Sequence, residues 1–315
     1  MKKSLSLLVA LPLVALLAAC GGPSRADDGT TSVAAAFYPF AFVVEEVGGS
    51  FVDVQNLTSP GTEPHDLELK PKQVAAVQDA DLVVYEQHFQ TAVDEAVDQA
   101  GRAADDTIDV ASLVDLRPAQ EGAEEEHGDD HDHAADDDHD HGDEDPHTWL
   151  DPTTMVALTN AVADQLSRVD PDHADTFAAN AERLVAELTD LDTAFTAGLQ
   201  TCRTRTIVTS HAAFQYLAAR YDLTQVPIAG LDPTNEPSPS QLADITRLVR
   251  KDGITTIFTE ELVSPAIADT IADETGAVTA TLDPIEGLSD DTRDESYLTL
   301  MRKNLATLQK ANDCS

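Results

Sequence analysis

Short apolar runs alternate with amphipathic stretches along most of the chain, and this alternation restricts the fold more than any other feature. Residues 33–36 read as a strand and 39–47 as a helix. A strand at 52–57, a helix at 71–79, a strand at 82–85, a helix at 89–100 and a short strand at 107–110 follow. The second half repeats the order, with strands at 206–209, 225–229, 254–258 and 278–282 and helices at 212–220, 240–251 and 265–274. Strands joined in sequence by helices lie parallel, with both sheet faces covered. The pattern therefore predicts an α/β protein built from two parallel-sheet lobes.

Between the halves the chain reads as helix alone. Residues 152–168 form one helix with Pro152 in its first turn. Asp170-Pro171 interrupts it, and 172–200 form a second, roughly 40 Å long at 1.5 Å per residue. A rigid connector and a surface helix of one lobe fit this pattern equally. The expected division is an N-terminal lobe at 33–171, a linking helix at 172–200 and a C-terminal lobe at 201–315.

The N-terminus addresses the compartment. Lys2 and Lys3 precede an apolar stretch at 5–19 that Pro12 interrupts. A bilayer span needs about 20 apolar residues, so the stretch reads as a signal peptide at 1–19. It ends Leu17-Ala18-Ala19-Cys20-Gly21, which resembles a bacterial lipobox. That resemblance implies lipid on Cys20, a flexible tether at 20–32, and a protein outside the cytoplasm anchored to the bacterial cell membrane. Ordinary signal cleavage beside an incidental cysteine is the alternative. With Cys20 lipidated, Cys202 and Cys314 remain. An even pair in an exported chain points to one disulfide; free thiols or a thiolate metal site are the alternatives.

Charge removes several classes of partner. The chain has 58 acidic against 19 basic residues, a net charge of −39. A nucleic-acid binder needs basic surface, as does docking on anionic lipid through a polybasic patch. An acidic chain suits cations, or is simply soluble. Residues 121–145 hold fourteen of the acids and five of the ten histidines, with no apolar residue larger than Ala. Such a stretch cannot build a core and reads as a disordered insertion. His127, His131, His133, His139 and His141 suit weak, interchangeable capture of cations such as Zn²⁺, with a solvating acidic tract as the alternative.

The other histidines occupy distinctive places. His65 lies in a turn-rich loop after a strand, His147 in a Pro-bracketed loop before a helix, and His211 at the carboxyl end of the 206–209 strand. Asp283 follows the 278–282 strand. Ligands of parallel α/β sheets bind outside the carboxyl ends of strands. Three imidazoles and a carboxylate suit a closed Zn²⁺ site, although spacing alone does not show that the four converge. His88 and His173 fall in no such place; His88 follows a strand and reads as a surface residue, with a place lining the cleft as the alternative.

Three motifs supply what spacing lacks. Gly61-Thr62-Glu63-Pro64-His65-Asp66-Leu67-Glu68, Pro146-His147-Thr148-Trp149-Leu150-Asp151-Pro152 and Thr209-Ser210-His211-Ala212-Ala213-Phe214-Gln215-Tyr216-Leu217 occur in this order. With Glu236-Pro237-Ser238, Phe258-Thr259-Glu260 and Leu282-Asp283-Pro284, they resemble the zinc-binding lipoproteins of bacterial ABC importers, the ZnuA-type cluster A-I family. The likeness covers 33–315 and extends to the acidic His-rich insertion. It implies two α/β lobes joined by a rigid helix, with the metal in the cleft between them. It also implies His65 and His147 as first-lobe ligands, His211 as a second-lobe ligand and Asp283 as the fourth, a place that water or another acid takes in some zinc members.

The resemblance further implies a monomeric receptor, not an enzyme, that captures Zn²⁺ and passes it to an ABC permease driven by a separate ATPase subunit. His211 stands where manganese members carry Glu, and imidazole favours Zn²⁺ over Mn²⁺. A manganese or iron receptor of the same family is one alternative. An exported zinc-dependent hydrolase is another, with Glu63 its only candidate base; the chain has no H-E-x-x-H and no G-x-S-x-G.

Overall fold

Two four-stranded parallel sheets share one strand order. The computed structural model describes residues 29–120 and 144–315. The first sheet is built from β1 (Thr31–Ala35), β2 (Val52–Asn56), β3 (Leu82–Tyr85) and β4 (Thr107–Asp109), in the order β2-β1-β3-β4. Helices α1 (Tyr38–Gly48), α2 (Pro71–Asp79) and α3 (Thr91–Ala100) make the crossovers. A two-residue antiparallel pair, β5 (Arg117–Pro118) with β6 (Glu144–Asp145), follows. Then come α4 (Pro152–Val169) and α5 (Ala174–Gly198).

The second lobe has β7 (Thr206–Thr209), α6 (Gln215–Arg220), β8 (Thr224–Pro227), α7 (Pro239–Asp252), β9 (Thr256–Thr259), α8 (Ala266–Thr275), β10 (Val278–Thr281) and α9 (Tyr297–Ala311). Its sheet runs β10-β9-β7-β8. Counted from each lobe's first strand, both sheets read 2-1-3-4. Each therefore has a point where successive connections leave in opposite directions, which opens a crevice at the carboxyl edge.

Local chemistry accounts for the element ends. Asp151 caps α4 by accepting from Thr153 N, with Pro152 in the first turn. Ser238 caps α7 through Gln241 N, and Gly253 closes it at φ +65°. Both sheet faces are covered, so β3 and β9 read as near-continuous buried runs, Leu82-Val83-Val84-Tyr85 and Thr256-Ile257-Phe258-Thr259.

One large core runs through both lobes. It joins Phe37, Phe40 and Trp149 to Leu184 and Phe195 of α5, and to Phe214, Leu217 and Tyr297. A smaller core, with Val208, Ile245, Val249, Ile257 and Ile271, lies under α7 and α8. The second sheet thus packs one face on the shared core and the other on its own helices. The 25 residues of α5, about 37 Å in length, pack on α1, α4 and α9. Cys202 and Cys314 form a disulfide that ties the end of the chain to the start of the second lobe. No described helix is long and apolar enough to cross a membrane.

The structure differs from the sequence expectations in several places. The long helix begins at Ala174 because 171–173 form a separate 3-10 turn, and it ends at Gly198. The 212–220 helix begins only at Gln215: Ala212 N donates to Gly230 O and Thr209 Oγ1 to His211 O, which holds 211–214 outside helical geometry. Helix α9 was not expected. Residues 144 and 145 were expected in the disordered insertion, but they pair with β5, and Asp145 is fully buried. The signal peptide, Cys20, most of the tether, and His127, His131, His133, His139 and His141 lie outside the described residues.

Candidate metal centre

The carboxyl edges of the two sheets face each other, and four buried side chains meet there. His65 is on the loop that leaves β2. That loop is fixed by Thr58 Oγ1 donating to Ala36 O at 2.8 Å, and by Gln90 Nε2 donating to Thr58 Oγ1 at 2.9 Å and Pro64 O at 3.1 Å. The Glu63 carboxylate accepts from the backbone N–H of His65 and of Asp66, at 3.1 and 3.3 Å. Glu63 therefore shapes the turn.

His147 lies between β6 and α4. Asp145 Oδ1 accepts from both His147 N, at 2.9 Å, and Nδ1, at 2.7 Å. His211 follows β7, and Glu260 follows β9. The Glu260 carboxylate accepts from His211 N at 3.1 Å, with both oxygens 2.8 Å from Nδ1. A ring that donates Nδ1–H to a carboxylate presents the Nε2 lone pair on its far side.

The fourth side chain is Glu286, between β10 and α9. Its segment is tied to the first lobe on both sides: Trp149 Nε1 donates to Pro284 O at 2.7 Å, and Gly61 N to Leu288 O at 2.7 Å.

The donor atoms sit close to the corners of a tetrahedron. His147 Nε2 is 3.4 Å from His65 Nε2 and 3.3 Å from His211 Nε2. Glu286 Oε1 is 3.4, 3.5 and 3.2 Å from Nε2 of His65, His147 and His211. An ion bound tetrahedrally at 2.0–2.1 Å sets its donors about 3.3–3.4 Å apart. Glu286 Oε1 is buried and makes no hydrogen bond of ordinary geometry among the described residues. Four donors aimed at one point, with such an oxygen among them, fit a small four-coordinate divalent cation. Phe89 meets the His65 ring edge-on at 4.8 Å, and Trp149 lies 5.2 Å from the His147 ring, so aromatic side chains line part of the site.

Electrostatics reinforce the convergence. Burial opposes charge on His147, yet the Asp145 carboxylate, aided by Glu286, raises its pKa above the usual imidazole value. Burial likewise opposes charge on His211, and Glu260 and Glu286 together lift it well above that value. Burial alone raises a carboxyl, but the three imidazoles hold Glu286 well below the usual range. The site thus attracts positive charge, and a proton and a metal ion compete for the same nitrogens.

His65, His147 and His211, selected from the sequence, come together here. Asp283 does not join them. Its Oδ1 turns back to accept from Ile285 N at 2.8 Å, and burial pushes its carboxyl up to about 7. Glu286, which sequence reasoning missed, occupies the fourth corner. The available signal was an acid three residues beyond Asp283 in the same connection after β10. His88 is exposed, with its N–H donating to Asp94 Oδ2, and His173 stacks on Phe51.

The chain has relatives among known proteins. Residues 33–311 match the ZnuA family, described as "Zinc-uptake complex component A periplasmic". The zinc-binding lipoprotein AdcA of Streptococcus pneumoniae is 40% identical over 314 residues, 99% of this chain and 61% of that protein. The chain therefore spans less than two thirds of that relative's length. The high-affinity zinc uptake system protein ZnuA of Bacillus subtilis is 35% identical over 98% of this chain and 97% of its own. The crystal structure of the Zn(II)-bound ZnuA-like domain of S. pneumoniae AdcA superposes with a TM-score of 0.73 at 35% identity, covering 90% of this chain and all of that one.

Proposed function

The chain belongs to the ZnuA family of zinc-uptake components, and from that premise we propose that it is an extracytoplasmic receptor that binds Zn²⁺ and delivers it for import. The observation that carries this reading is the quartet of buried donors, three Nε2 and one Oε1, with five of their six separations at 3.2–3.5 Å, as in a tetrahedral shell. His65 and His147 of the first lobe hold the ion against His211 and Glu286 of the second. The names of the relatives support zinc as the cargo.

The donor set favours the same ion. Three imidazoles and one carboxylate suit zinc, whereas Mn²⁺ prefers oxygen donors. A catalytic zinc keeps one coordination position for water or substrate. Here protein atoms fill all four corners, so the geometry favours capture and release over hydrolysis. Lipid on Cys20 anchors the receptor at the outer face of the membrane, and an ABC permease with its ATPase subunit takes the ion inward. The lobe boundaries follow the connector, with α5 between an N-terminal and a C-terminal half.

Chelator-competition titration of the mature chain tests this. One tight equivalent of zinc is expected. His65→Ala, His147→Ala, His211→Ala and Glu286→Ala should each weaken it by more than about a hundredfold, since even changes behind a metal ligand cost up to that much. Wild-type affinity in any one variant removes that residue from the shell.

A further inference from the structure

Asp283 begins the turn that leads to Glu286, and its hydrogen bonds serve the shape of that turn. Its Oδ1 accepts from Ile285 N at 2.8 Å. The Asn304 side chain, on α9, grips the same residue from two sides: Oδ1 accepts from Asp283 N at 2.9 Å, and Nδ2 donates to Asp283 O at 2.6 Å. Ile285 then sits at φ +59°. A β-branched residue avoids this left-handed region, because its side chain crowds the backbone. Such a conformation persists only where the surroundings over-determine it, and it gathers at functional sites. The Ile285 side chain is fully buried in the shared core, which fixes the turn from the other side.

Glu286 is the next residue. The sense of φ at Ile285 therefore sets the direction in which the Glu286 side chain leaves the backbone. An ordinary right-handed or extended Ile285 would send the carboxylate elsewhere. We infer that Asp283 is a positioning residue: with Asn304 it holds Ile285 in the left-handed turn that aims Glu286 at the three imidazoles. This rests on the zinc-site reading above and gives Asp283 a role without a bond to the ion.

Four variants test the assignment, each measured for zinc affinity by chelator competition and for folding by thermal unfolding. Asp283→Asn keeps the acceptor for Ile285 N and removes a charge that Glu261, Glu286 and Glu260 repel. It should bind zinc within about threefold of the native chain. Asp283→Ala removes the acceptor and should weaken binding roughly ten- to hundredfold, as loss of an outer partner does. Glu286→Ala should weaken it at least as much. In the double variant, Asp283→Ala should add nothing to Glu286→Ala, because a residue that acts through another has no effect once that other is gone.

A folded Asp283→Asn protein that loses tenfold or more would overturn the inference, since the carboxylate itself would then matter. Full additivity in the double variant would also overturn it, as would an unchanged Asp283→Ala. If Glu286→Ala binds as the native chain does, the zinc-ligand reading of Glu286 and this inference fall together. If Glu286→Ala is weak while Asp283→Ala is neutral, only this inference falls.

Discussion

The two lobes share a strand order but hold their histidines at different reach. In the first lobe His147 is gripped by Asp145, two residues upstream, through both its backbone N–H and its ring. In the second, Glu260 grips His211 in the same two ways from 49 residues away. The chemistry is the same and the covalent context is not. Pro146, between Asp145 and His147, has a fixed φ and narrows what that short segment can do without its carboxylate. Nothing so short joins Glu260 to His211. A half-site built locally tolerates the loss of one contact better than a half-site assembled across a sheet.

The largest effect expected outside the four donors follows from that contrast. Glu260→Ala should weaken zinc binding about a hundredfold and Asp145→Ala only about tenfold, the two ends of the usual range for a group behind a ligand. Chelator competition measures both. Equal losses, or the reverse order, would break the comparison.

Acidity sharpens it further. Against the pull of burial, carboxylate partners hold His147 and His211 above the usual imidazole value. Groups raised in this way stabilise the metal-free fold below their unfolded pKa of about 6.5, and that contribution is lost as pH rises through the raised values. Zinc needs the neutral ring, so protons compete with it from a higher pH than at a free imidazole. Affinity should already be falling between pH 7.5 and 6.5, by up to about tenfold per unit for each proton displaced. Glu260→Gln should move that onset downward. A flat native profile across this interval would show that neither imidazole takes up the proton.

The smallest effect concerns the acidic insertion. A chain lacking 121–143, with a short Gly-Ser bridge in their place, keeps β5, β6 and Asp145. Its tight zinc site should stay within about threefold of native, since loops of different length close at little cost. Weak additional zinc equivalents, read by equilibrium dialysis, should disappear with the five histidines. Removing 121–145 instead takes Asp145 away and should cost about tenfold at the tight site. Loss of the tight site in the shorter deletion, with the protein still folded, would extend the first half-site into the insertion.

The same division between local and distant explains what was legible in the sequence. The 71–79 helix and the 82–85 strand are read to the residue, because Pro71 opens one and an unbroken apolar run defines the other. His65 and His147 stand in Pro-bracketed loops, and both are held by acids two residues away, Glu63 and Asp145. Glu286 is held by Asn304, Trp149 and Gly61 acting on its neighbours, and no periodicity or spacing announces that. Asp283 leaves β10 directly and so stands where a ligand is expected, but it is Glu286, beyond the left-handed turn at Ile285, that groups with the three histidines. Helix α9 is a different kind of miss. Ser296 caps it, and Leu298, Met301, Leu305 and Leu308 lie buried at helical spacing, so its signal was present in the chain.

The burial of the centre has a consequence in time. His147 and His211 expose no surface, Glu286 only 1% and His65 7%. Water therefore has little room to take a departing ligand's place step by step. In the receptor reading proposed above, an ion enters and leaves when the halves part, a motion of the kind that falls in the microsecond-to-second range. One barrier then governs loading and unloading alike. Lowering it speeds both and leaves the equilibrium constant where it was. How long an ion stays depends on the links between the halves, Trp149 to Pro284 and Gly61 to Leu288, as much as on the donors themselves. A partner that prefers the parted form can empty the site without touching a single ligand.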